Sequence, residues 1–216
     1  MKNIEFNTIK QCVEAEIIEK KSRFIANIFY VESKNEAEEM LAKIKKKYYD
    51  AKHNCYAYSI LENETCYKKC SDDGEPSGTA GEPILNIIEK NNFKNVLIVV
   101  TRYFGGILLG TGGLCRAYSE ATVSAINKAK IIKMQSGWLL EIVINYEDNA
   151  IFRNYCERNK INVVSCKYQE NITYNIELND EEYEKMQKAI TEKKILKGRE
   201  NKDIKEICRK YVEKQE

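Results

Sequence analysis

Both prolines of this chain, Pro76 and Pro83, and eight of its ten glycines lie between residues 74 and 113. These are the residues that interrupt helices and strands, so a chain that confines them to one window runs as regular secondary structure almost everywhere else. Within the window the backbone either turns sharply or is brought close to something. At 216 residues the chain exceeds the commonest domain size of roughly 100 to 150 residues, leaving room for two modest domains or one large one.

Periodicity fills in the rest. Val13, Ala15 and Ile17 alternate with Glu14 and Glu16, and RFIANIFYV follows at 23–31, which predicts a β-hairpin. Ser33 and Glu36 have the spacing of a capping box, and Ala37, Met40, Leu41, Ile44 and Tyr48 follow at helical intervals. Lys45, Lys46 and Lys47 sit in that helix's last turn, where cations suit the macrodipole, so they read as a solvated helix end. HNCYAYSIL at 53–61 and TCYKKC at 65–70 predict a second hairpin turning on ENE. After the loop SDDGEPSGTAGEP at 71–83, ILNIIEKN predicts a short helix with Pro83 at its first position. NVLIVVTRY at 95–103 is the most continuous β-branched run, which predicts a central strand buried on both faces. It leads into FGGILLGTGG and a helix from about 113 to 129, with Leu114, Ala117, Tyr118, Ala121 and Ala125 on one face.

From Trp138 the pattern restarts. WLLEIVINY predicts a strand, NAIFRNYCERNK a helix, INVVSCKY and ITYNIELN a hairpin, and DEEYEKMQKAI a helix capped by Asn179 or Asp180. This βαββα order, with room for a last short strand, is the ferredoxin-like plan. The fold class is therefore α/β (α+β) in two domains, 1–133 and 138–216, with the boundary near 132–137 around KMQSG. The second domain, 138–216, is expected to fold by itself.

Charge and cysteine usage narrow the function classes. Residues 1–130 carry 19 basic and 17 acidic side chains and residues 131–216 carry 16 of each, which is no signature of bulk polyanion binding, although a local patch escapes such a count. No apolar run approaches the roughly 20 residues that span a bilayer, and the opening MKNIEFNTIKQCVEAE has charges where a signal peptide needs an apolar stretch. A cytoplasmic protein with no membrane partner is expected. The eight cysteines then read as reduced thiols rather than a disulfide framework.

Gly110, Thr111, Gly112 and Gly113 end a loop that follows a buried strand and opens a helix, an arrangement whose free N–H groups hold anions. Arg102 before the loop and Arg116 in the helix's first turn are placed to add charge-assisted bonds. No lysine follows as in a Walker A loop, and the dinucleotide fingerprint is absent, so no cofactor is predicted. The plainer reading is that the glycines permit close helix packing. In the acidic loop, Asp72, Asp73 and Glu75, with Ser77 and Thr79, either hold a divalent cation or pair with Arg102 or Arg116 and cap the next helix. The spacing of an EF-hand is absent, and the pairing reading is preferred over a metal. His53, the only histidine, could form a zinc site with Cys55, Cys66 and Cys70, but the spacing matches no standard finger, and no metal is predicted. A partly buried, hydrogen-bonded His53 near the acidic loop, as an accessory to any site, is expected instead.

The segments KKSRFIA, HNCYAY, SDDGEPSGTAGEPIL and NVLIVVTRYFGGILLGTGGLCRAYSEA closely resemble the signature of the YigZ/IMPACT family over about residues 20–126. The part from about 138 resembles the smaller C-terminal domain of the bacterial YigZ branch. Cys66 and Cys70 lie outside the family motif, and the RWD domain that precedes it in eukaryotic IMPACT proteins is absent from this sequence. The resemblance implies a first domain similar to domain IV of elongation factor G and a ferredoxin-like domain similar to its domain V. It also implies a connection with translation, since the eukaryotic relatives restrain an amino-acid-starvation kinase by competing for its activator. Two functions stand side by side. One is a non-enzymatic binding protein contacting RNA, the ribosome or a ribosome-associated protein. The other is an enzyme or sensor for a small phosphorylated or carboxylated anion at the GTGG loop. In both, Asp72, Asp73, Glu75, Ser77, Thr79, Arg102, Thr111, Gly112, Gly113 and Arg116 are expected to line one concave surface.

Overall fold

The computed structural model describes residues 4–62, 65–196 and 204–214, the backbone alone at 204–210. The protein is mixed α/β and divides into two compact units, residues 6–133 and residues 1–5 with 134–216.

In the first unit, β2 (Val13–Glu19), β3 (Ser22–Tyr30), β4 (His53–Glu62), β5 (Thr65–Ser71) and β6 (Val96–Tyr103) form one sheet in the order β2-β3-β6-β4-β5, antiparallel throughout. The β-branched run becomes β6, the middle strand, and its first seven residues are buried. Alternation along β6 splits its side chains between two cores. Ile98 and Val100 join Phe24, Ala26, Ile28, Cys55 and Ala57 beneath α2 (Gly81–Lys90) and α3 (Gly110–Lys128). Leu97 and Val99 join Tyr56, Tyr58 and Ile60 beneath α1 (Lys34–Lys47). The Ser33 cap on α1 forms through Glu36 N–H, but the Glu36 carboxylate reaches back to the N–H of Glu32 rather than of Ser33. Two helix starts differ from expectation. α2 begins at Gly81, placing Pro83 third, and α3 begins at Gly110, three residues early. The first N–H groups of a helix have no partner within it, so neither proline nor glycine interrupts its first turn. The turn expected at ENE has residues 63 and 64 outside the described residues.

In the second unit, β7 (Ile131–Ile144), α4 (Tyr146–Arg158), β8 (Asn162–Tyr168), β9 (Ile172–Asn179), α5 (Asp180–Thr191) and β10 (Ile204–Glu213) follow one another. Strands β8, β9, β7 and β10 lie in that order and are antiparallel, the ferredoxin-like arrangement with its closing strand longer than expected. Its core holds Leu140, Ile142, Ile144, Phe152, Ile172, Ile176, Leu178 and Ile190. Asn179 caps α5 in a reciprocal box with Glu182. KMQSG, read as a boundary, lies inside β7, and β1 (Glu5–Ile9), which also pairs with β7, was not foreseen. A fragment starting at Met134 keeps every β7 pairing with β9 and β10. Fragment 134–216 is expected to unfold cooperatively on heating, followed by circular dichroism, and a transition without cooperativity counts against it as an independent domain.

Candidate functional site

Pairing of His53 with Arg102 and of Tyr56 with Ser71 places the start of β4, the end of β5 and the end of β6 together. The loops at 71–81 and 104–109 therefore leave the same end of the sheet, and they lead to helices on the same face. Most of the chemistry-bearing residues converge there.

The acidic loop folds onto itself. Asp72 accepts N–H groups from Gly78 at 2.9 Å, Ala80 at 2.9 Å and Gly81 at 2.8 Å. Ala80 stands at the cap of α2 without a capping side chain, so a carboxylate eight residues upstream does that work. Burial acts to raise the Asp72 carboxyl, but the three N–H donors outweigh it and hold it below its ordinary value. Asp73 accepts from the N–H of Asn54 at 2.7 Å and from Lys45 Nζ at 2.8 Å. Thr79 is buried, its hydroxyl donating to the Pro76 carbonyl, while Ser77 is exposed.

A depressed carboxyl stabilises the fold above its unfolded-state pKa, about 3.9 for aspartate, and that contribution is lost as pH falls through the folded value. The melting temperature of the protein is thus expected to drop more steeply below about pH 4 than that of Asp72→Asn, which carries no such charge. Parallel acid limbs in a series of thermal melts count against this role.

Glu75 and Arg102 form an ion pair at 2.7 Å with side chains 3% and 7% exposed. The Tyr118 hydroxyl donates to the same Glu75 oxygen at 2.8 Å, and the Cys55 thiol donates to the Asp72 carbonyl at 2.9 Å. Cys55 also lies 3.3 Å from the Tyr118 oxygen. The Arg102 guanidinium lies 5.5 Å from the ring centres of both Phe24 and Phe104, and its buried Nε has no hydrogen-bond partner among the described residues. Burial pushes the Tyr118 phenol far up and the Cys55 thiol up to about 12. Neither ionises at neutral pH, so Cys55 is no thiolate nucleophile. The sequence reading did not place Tyr118 or Cys55 here. The available signal was a tyrosine on a helix face otherwise made of leucine and alanine, because a buried phenol needs a partner.

His53 is half-buried, with Nδ1 2.9 Å from the Asp73 carbonyl. A carbonyl only accepts, so Nδ1 carries the proton and Nε2 is the acceptor in the neutral ring. Cys66 stands opposite Leu61 and Cys70 opposite Ala57, about 13 Å apart along β5 at the usual rise per residue. Among the described residues no group of three or more His, Cys, Asp or Glu side chains is arranged to hold a metal. The seven cysteines with described side chains are free, and that of Cys208 lies outside the described residues.

Thr111, Gly112 and Gly113 form the first turn of α3 rather than a preceding loop, and Arg116 falls in the second turn, with Nε 3.4 Å from the Gly112 carbonyl. Among the described residues no side chain caps this helix start at Leu109. Gly113 and Arg116 line a groove of about 250 Å³ with Leu109, Ala117, Glu120 and the Glu19–Lys20 end of β2. Of the ten expected residues, the structure thus gathers Asp72, Asp73, Glu75, Thr79 and Arg102 into an internal cluster. It places Gly113 and Arg116 in a separate groove, and leaves Ser77, Thr111 and Gly112 exposed.

Residues 20–126 match the Impact N-terminal domain family. The IMPACT family member YvyE of Bacillus subtilis is 37% identical over 207 residues, covering 96% of this chain and 93% of that one. Protein IMPACT of Mus musculus is 41% identical over 98 residues, 44% of this chain and 30% of that protein. A solved structure described as a hypothetical protein aligns with a TM-score of 0.61 over 87% of this chain and 92% of its own, at 24% identity, which speaks to the fold alone. No described helix is long and apolar enough to cross a membrane.

Proposed function

Because this chain belongs to the IMPACT family, we propose that it is a non-enzymatic cytoplasmic binding protein connected with translation, contacting RNA, the ribosome or a ribosome-associated protein. The observation that carries this reading is the internal pairing of Asp72, Asp73, Glu75 and Arg102. The polar signature residues are consumed in shaping one end of the sheet, and what that end offers outward is a surface rather than a set of reacting groups. The role in translation rests on the family resemblance, since a fold alone does not carry a function. Capture from cell lysate on the tagged full chain, with and without ribonuclease, tests it. Ribosomal RNA or a ribosome-associated protein is the expected catch, and a catch free of translation components overturns the proposal.

The uncapped start of α3 supports a second reading, in which the protein is an enzyme or sensor for a small phosphorylated or carboxylated metabolite held by the amides of Thr111, Gly112 and Gly113, with Arg116 beside them. A thermal-shift screen of nucleotides and phosphorylated metabolites distinguishes the two. Several degrees of stabilisation by one compound, abolished by Gly112→Val, favours this second reading. Nothing lies within 4 Å of a Cβ built at Gly112, so that variant is expected to remain folded.

A further inference from the structure

The end of the sheet that holds the internal cluster also presents a rim of exposed aromatic rings and cations. Tyr49 is 85% exposed and Phe104 56% exposed, yet both are attached to fixed points. The Tyr103 hydroxyl donates to Asp50 at 2.7 Å, so the residues next to Tyr49 and Phe104 are bonded to each other. The Gly105 N–H donates to Ser22 Oγ at 3.1 Å, which fastens the Phe104 loop to the Lys20–Lys21 turn. Arg116 faces that turn across the groove, and Lys52 directly precedes β4.

Charge is distributed unequally along this rim. Lys45, Lys47 and Arg23 are neutralised by Asp73, Glu14 and Glu16. Among the described residues, Lys20, Lys21, Lys52 and Arg116 form no ion pair. Glu19 and Glu120 on the walls of the groove restrain the field there, which suits a few ordered contacts better than a deep polyanion channel. On a chain whose formal net charge is only +2, unneutralised cations interleaved with open ring faces are the local patch that a whole-chain count conceals.

Resting on the binding-protein reading above, the geometry points to a single-stranded stretch of RNA as the partner, with Tyr49 and Phe104 stacking on unpaired bases and Lys20, Lys21, Lys52 and Arg116 meeting its phosphates. Ring faces can be used only by bases free of a duplex, whereas cations alone accept either form. Phe104 is suited to this because one of its neighbours is the buried Arg102 guanidinium, while most of the ring remains open to solvent. Ile107 and Leu108, exposed on the same loop, are what a protein partner would use instead, and the experiment separates the two.

Fluorescence anisotropy on the full chain with a labelled RNA of about 12 nucleotides, single-stranded or annealed to its complement, provides the test. The single strand is expected to bind at least about tenfold more tightly than the duplex, and Phe104→Ala and Tyr49→Ala each to weaken it about tenfold. The double variant Lys20→Ala/Lys21→Ala is expected to flatten the salt dependence by about 1.4 in logarithmic slope. All these side chains are exposed, so unchanged melting temperatures serve as the folding control. Equal affinity for the duplex, no binding at low salt, or full affinity in both aromatic variants overturns the proposal. Ribonuclease-resistant capture of a ribosome-associated protein, lost in Leu108→Ser, also overturns it while leaving the binding-protein reading intact. A lysate catch without any translation component removes that reading as well.

Discussion

Replacing Glu75 with alanine is expected to destabilise the protein by about 3–5 kcal/mol, a large share of the roughly 5–15 kcal/mol that holds a domain folded. The substitution leaves Arg102 charged, 7% exposed and flanked by two phenylalanine rings, with the carboxylate that pairs with it gone. It also removes the acceptor of the Tyr118 hydroxyl. Tyr118→Phe is expected to cost less, about 1–3 kcal/mol, because the ion pair survives. The double variant Glu75→Gln/Arg102→Met removes both charges together and is expected to be more stable than Glu75→Ala. That ordering is the signature of an uncompensated buried cation rather than of a lost contact. Urea unfolding of the three variants checks it, and a loss below about 1 kcal/mol in Glu75→Ala would mean that water reaches the guanidinium.

Gly105→Ala is the second substitution with a large expected effect. A Cβ at this position falls 2.0 Å from the carbonyl carbon of Lys21, 2.2 Å from its oxygen and 2.4 Å from the Ser22 nitrogen. The obstacle is backbone on the opposite hairpin, which has no rotamer to offer, so the 104–109 loop must lift away and break the Gly105–Ser22 bond. A cost of about 3 kcal/mol is expected, at the upper end of overpacking effects. The loss should be accompanied by faster hydrogen exchange at Ser22 and Gly105. Gly112→Ala is the control. It meets nothing within 4 Å and lies in a helix, where alanine is favoured by up to about 1 kcal/mol. Equal stability of the two variants would show that the loop is not held against the hairpin.

How far the sequence could be read depended on where the information lay. β6 was legible because burial on both faces makes nearly every residue apolar and β-branched, whichever way it points. α5 was legible because its capping residues are adjacent in the chain. β7 was read too short, since Lys133, Gln135 and Ser136 break the apolar pattern there, Lys133 being exposed and Ser136 a buried polar residue. The helix starts at Gly81 and Gly110 were missed because glycine was read as an interruption where the first turn tolerates it. In the candidate site, the pairing of acidic-loop carboxylates with an arginine and a helix start was visible from residue types alone. That Cys55 and Tyr118 would join Glu75 and Arg102 was not, because the bonds of Tyr118 to Glu75 and Cys55 span 43 and 63 positions and no local spacing encodes them.

The turn between β2 and β3 carries one more implication. Lys20 and Lys21 both have positive φ, 45° and 64°, in a two-residue hairpin connection that asparagine and glycine occupy at much lower conformational cost. Two long cationic side chains thus stand where the backbone least welcomes them. Substitution toward Asn-Gly relaxes the hairpin and removes two ammonium groups from the rim in the same step. Thermal robustness and surface charge are therefore opposed at this corner, and a variant selected only for heat resistance will drift away from whatever the lysines touch.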